Sequence, residues 1–120
     1  VVKVPVPVAE LFDKLTILRI KKDKGLNVAE ELQLLEDLAK GTKPNRLVTS
    51  FVSMLHTVNS LLWDIEDDKR EYEVTKDFDE KFIELARLVY ILNDRRADLK
   101  KQINIHSGSV ISEVKKYKEY

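Results

Sequence analysis

Along the chain, stretches in which apolar residues recur every three or four positions alternate with short breaks. That spacing lines side chains along one face of an α-helix, so each stretch predicts an amphipathic helix. All three prolines (Pro5, Pro7, Pro44) and all three glycines (Gly25, Gly41, Gly108) fall in the breaks, as helix punctuation should. A first helix is predicted from about Val8 to Lys24, with Leu11, Leu15 and Leu18 in phase, lysines near its end and Gly25 as its stop. A second follows a short turn: Asn27 and Glu30 read as a capping box, Ala29, Leu32, Leu35 and Ala39 share a face, and Gly41 ends it. The third runs from Pro44 or Asn45 to Glu73, with Leu47, Phe51, Met54, Leu55, Val58, Leu61, Leu62 and Ile65 on one broad arc. At ~1.5 Å per residue it is roughly 40 Å long. Asp77 and Glu80 read as the capping box of a fourth helix, which continues to about Ile105 through Phe82, Leu85, Ala86, Val89, Leu92, Leu99 and Ile103.

The short link between the two long helices makes them antiparallel neighbours. The predicted fold class is therefore all-α: a long antiparallel helical hairpin (helices three and four) packed with a shorter N-terminal helical hairpin, in one domain. Residues 1–7 alternate valine with lysine and proline and read as an extended arm, since proline fixes φ and lacks a donor. Residues 109–120 read as a short helix or a mobile tail.

Composition narrows the function classes. The chain has no cysteine, which removes disulfide scaffolds, thiolate metal sites and thiol catalysis, and it suits a cytoplasmic location. Basic and acidic residues number 21 each and are interspersed, so bulk attraction to nucleic acid or to an anionic membrane is not expected. No apolar run approaches the ~18 residues that span a bilayer.

Three segments together are distinctive: Val4 to Lys21 (VPVPVAELFDKLTILRIK), Leu61 to Asp68 (LLWDIEDD) and Phe82 to Asn104 (FIELARLVYILNDRRADLKKQIN). Through them the chain resembles a family of short bacterial proteins known only as a domain of unknown function. The Trp-Asp-Ile-Glu-Asp-Asp and Asn-Asp-Arg-Arg clusters carry the likeness most specifically. The resemblance implies a compact helical protein and brings no activity and no catalytic residue. At the start of the first helix the chain departs from the family pattern, with Pro7 and Ala9 in place of small capping residues.

The candidate chemistry lies where polar residues interrupt apolar arcs. On helix four Asn93, Arg96, Lys100 and Asn104 continue the stripe of Phe82, Ala86 and Val89; on helix three Asn59 and Glu66 share the arc of Val48 and Leu55; on helix one Arg19 lies between Phe12 and Leu15. Burying a charge costs several kcal/mol unless it is paired, so these side chains should find one another, a ligand or water. One reading is a register-setting polar layer, with Lys100 snorkelling to water and Arg96 paired to Glu66, Glu36 or Asp13, in that order of expectation. The sharper reading is an anion pocket built by Arg96, Lys100 and Arg19. The layer is the favoured one.

Asp64, Asp67, Asp68 and Glu71 line a single helix face and suggest a Mg²⁺ site, as in all-α pyrophosphohydrolases. That face points away from its own apolar arc, and no second acidic motif has matching spacing, so a solvated surface is expected and no cofactor. Trp63 and Tyr90 sit at arc edges as packing residues. His56 and His106 lack the spacing of a helical zinc site, and no nucleophile elbow, Walker loop or dinucleotide fingerprint is present. The leading expectation is a helical interaction module, forming a homodimer or binding a protein partner. A Mg²⁺-dependent enzyme or small-anion binder is the alternative.

Overall fold

The computed structural model describes residues 1–108; the C-terminal segment 109–120, read above as a helix or tail, lies outside them. Four helices form: α1 (Val8–Asp23), α2 (Ala29–Gly41), α3 (Arg46–Thr75) and α4 (Glu80–Ser107). No strand occurs among the described residues. The two long helices make the most extensive contact, α1 lies against both, and α2 packs on α1. This is the all-α arrangement that the periodicity predicts. No helix is long and apolar enough to cross a membrane among the described residues.

The helix ends show where local chemistry departs from expectation. Asn45 caps α3, its side-chain oxygen accepting from the Val48 amide at 2.8 Å. Neither of the two predicted capping boxes forms. Lys76 takes the left-handed conformation (φ 57°), and the Asp77 amide donates back to the Tyr72 carbonyl at 3.2 Å. Asp77 thus closes α3 in a six-to-one reversal and is not placed to open α4. Asp79 does so instead, accepting from the Phe82 amide at 3.2 Å. At the α1–α2 turn, Gly25 (φ 85°) lets the Leu26 amide reach the Lys21 carbonyl at 3.0 Å. Asn27 forms no cap after this closure; Val28 holds the N-cap position and packs on the core.

Phe12, Leu15 and Leu18 of α1 meet Leu32 and Ala39 of α2, Val48, Val52, Leu55 and Val58 of α3, and Leu99 and Ile103 of α4. Each large side chain buried here contributes ~1.5–3 kcal/mol of transfer free energy. The apolar arc of α3 is narrower than expected. Leu47, Met54 and Leu61 are 46%, 43% and 47% exposed, because α1 docks on the side of Val48, Val52 and Asn59, which lies roughly 140° around the helix from Met54.

Beyond α1 the hairpin continues as a two-helix arm. From 66 to 98 no residue is fully buried. Phe82 anchors the arm's tip by edge-on contacts with Phe78 and Tyr72, at ring-centroid distances of 5.0 and 6.1 Å.

Candidate functional site

The first turns of α1, the middle of α3 and the second half of α4 meet in a buried polar layer centred on Asp13, which is 5% exposed. Asp13 lies at the edge of the buried arc of α1, beside Ala9 and Thr16, so its carboxylate must be satisfied by the facing helices. The Arg96 guanidinium meets it fork to fork: Nε donates to Oδ1 at 3.1 Å and Nη2 donates to Oδ2. Asn59 Nδ2 donates to the same Oδ1 at 2.9 Å and to Thr16 Oγ1 at 2.9 Å, while Thr16 Oγ1 donates to the Asp13 carbonyl at 2.8 Å. Lys100 Nζ lies 2.6 Å from Glu10 Oε1 and 3.9 Å from Asp13 Oδ2. Asp13 and Glu10 balance Arg96 and Lys100, so the layer is neutral as a whole.

Asn104 completes it. Pro7 precedes α1 and offers no side-chain cap, which would leave the first amides of the helix without acceptors. The Asn104 side-chain oxygen accepts from the Ala9 amide at 2.9 Å, so α4 supplies the cap that α1 lacks. Glu10, in the first turn, adds a favourable charge at the positive end of the helix dipole.

Several expectations are corrected. The partner of Arg96 is Asp13, not Glu66, which is exposed and 3.7 Å from Lys69. Arg96 shares an Asp13 oxygen with Asn59, so these two stand at one level and Glu66 lies two turns nearer the loop. Lys100 does not snorkel but is buried between Glu10 and Asp13. Arg19 joins neither Arg96 nor Lys100. It forks onto Glu36 at the α1–α2 contact, with Nε and Nη2 donating at 3.1 and 3.2 Å. Hydrogen bonding from Arg19 holds the Glu36 carboxyl below its ordinary range, against an opposing effect of burial. Asn93 is half-buried and its side chain bonds no other described residue.

Asp64, Asp67, Asp68 and Glu71 are all exposed, and Asp64 pairs with Lys24 at 3.3 Å. Among the described residues no three aspartate, glutamate or histidine side chains converge as a metal site requires. His106 stacks on Phe51 with centroids 5.7 Å apart. Sequence reasoning ranked Asp13 last among the partners of Arg96 and passed over Glu10 and Thr16. The available signal was a carboxylate interrupting the apolar arc of α1.

Beside the layer, toward the hairpin loop, a cleft of about 470 Å³ opens between α1, α3 and α4. Ile17, Ile20, Leu62 and Trp63 give it an apolar lining. Asn59 and Arg96 stand at one end, and Glu66, Asp67 and Arg70 at the other. A second cleft of about 390 Å³ lies between α1, α2 and α3 and is bounded by Arg19 and Glu36.

No curated protein and no solved structure is similar enough to match the chain. A family model described as a family of unknown function (DUF6165) does match, over residues 2–120. The chain belongs to that family, whose description carries no activity.

Proposed function

We propose that the protein is a helical self-association module, in which two copies pair through the outer side of the α3/α4 hairpin. One observation carries the reading: the hairpin has α1 on one side only, and its other side presents a line of open apolar residues. Leu47, Met54 and Leu61 repeat every seven residues along α3, and Leu88 and Ile91 follow on α4. These positions lie roughly 120° or more around their helices from Asn59 and Lys100, which face α1. Two such hairpins stacked on this side complete a four-helix core.

A second copy suits the surface better than a strongly charged partner. The chain has zero formal net charge, so two copies meet without bulk repulsion. A cysteine-free chain of this kind suits work in the cytoplasm.

Light scattering tests the reading. The chain should run at about twice its 14.0 kDa mass, and Met54→Glu with Leu88→Glu should return it to 14.0 kDa with unchanged helix content. A wild-type mass of 14.0 kDa at high concentration would refute self-association and redirect the surface to a different protein partner.

A further inference from the structure

The cleft beside the polar layer has Arg96 and Asn59 at one end, two carboxylates beside Arg70 at the other, and an apolar lining between. At the inner end Arg96 commits Nε and Nη2 to Asp13, and its Nη1 group bonds no described residue. Asn59 spends its amide protons on Asp13 and Thr16, leaving its carbonyl oxygen as an acceptor on the cleft wall. Glu66 and Asp67 stand at the outer end, two turns along α3, roughly 10 Å from Asn59 along the helix axis. Asp67 has no partner among the described residues. Trp63 lies between these ends, half-buried, with Leu62 beside it and Ile17 and Ile20 facing from α1.

We propose that this cleft binds a short zwitterionic peptide of two or three apolar residues. Its terminal carboxylate meets Arg96 Nη1, and its ammonium meets Glu66 and Asp67. A backbone N–H can donate to Asn59, and the apolar side chains cover Trp63 and Leu62. The separation of the two ends selects for length. A single α-amino acid carries both charges on one carbon and cannot reach both, whereas each further residue adds ~3.3–3.6 Å. Free inorganic anions could meet Arg96 or Arg70 but would leave Glu66 and Asp67 unanswered. The site faces α1, on the opposite side of the hairpin from the self-association surface, and stands or falls independently of it.

The chain has one tryptophan, so fluorescence of Trp63 reports on the cleft directly, with calorimetry as a second readout. The titrants are Leu-Leu and Leu-Leu-Leu, their N-acetylated and C-amidated forms, free leucine and inorganic phosphate. The expected result is saturable binding of the free peptides, with acetylation or amidation each weakening it about tenfold or more. Free leucine and phosphate should bind more weakly still. Glu66→Gln with Asp67→Asn, both at exposed positions outside the core, should weaken the free peptide while leaving the N-acetylated one unchanged and the thermal melt intact. Arg96→Lys should weaken free and N-acetylated peptides alike. Three results would each overturn the proposal: no saturable signal by either method at millimolar peptide, equal binding of free and acetylated peptides, or equal binding by the Glu66/Asp67 double variant. Running the series on Met54→Glu/Leu88→Glu separates failure of the cleft from failure of self-association.

Discussion

Asp13→Asn isolates the centre of the polar layer. The substitution keeps the side chain's shape and one carbonyl oxygen but removes the charge, and it turns an N–H₂ group toward donors. Arg96 loses its fork partner, Lys100 loses the Asp13 charge, and Asn59 competes for a single remaining acceptor. Stranding one member of a buried ion pair costs ~3–5 kcal/mol. The Arg96 side chain is 23% exposed and recovers part of its hydration, so the lower end applies, about 3 kcal/mol. Against a typical domain stability of ~5–15 kcal/mol this is a large fraction. With a urea m-value of about 1.5 kcal/mol per molar, the midpoint should fall by roughly 2 M. Urea melts followed by circular dichroism measure it, with Asp37→Asn as the control: Asp37 is exposed and bonds only Gln33, at 3.0 Å. Adding Arg96→Met to Asp13→Asn should recover part of the loss, since the stranded guanidinium is gone. Coincident midpoints for Asp13→Asn and Asp37→Asn, or strict additivity in the double variant, would refute the layer as a coupled unit.

Arg96→Ala should likewise destabilise far more than Arg87→Ala, which lies on the exposed side of the same helix; denaturant melts decide it. Asn104→Ala should cost about 1 kcal/mol through loss of the α1 cap, with Asn93→Ala as the half-buried control, and the difference should appear in thermal melts. Glu36, whose carboxyl is lowered in the folded protein by Arg19, contributes stability above the ordinary glutamate range. That contribution is lost as the pH falls through the folded value. The stability gap between wild type and Glu36→Gln should therefore close in acid, and a gap that persists unchanged there would remove the Arg19 pairing as its cause.

Helix number and order were legible because they rest on local spacing and on where proline and glycine fall. The caps were less so. Asp77 and Asn27 are good capping residues, but the reversals at Lys76 and Gly25 place other residues at the N-caps. Leu47, Met54 and Leu61 show the limit of a helical wheel: the wheel gives an arc, whereas the docking direction of α1 decides which part of it is buried. The same direction decided the site. Asn59, Arg96, Lys100 and Asn104 were recognisable as inward polar residues. Their shared partner could not be read without the α1 register.

The Asn104 cap on Ala9 joins residues 95 positions apart, close to the full reach of the described chain. Of these four helices, the first to be synthesised is therefore the last to acquire all its backbone partners. Until the end of α4 arrives, α1 opens with an unsatisfied amide and an acidic residue, Asp13, awaiting Arg96. Contacts of such long sequence separation slow folding, because loop closure precedes the stabilisation it permits. A fragment ending before Arg96 would lack both, and protection of the Ala9 amide against hydrogen exchange would mark the moment at which α1 and α4 engage.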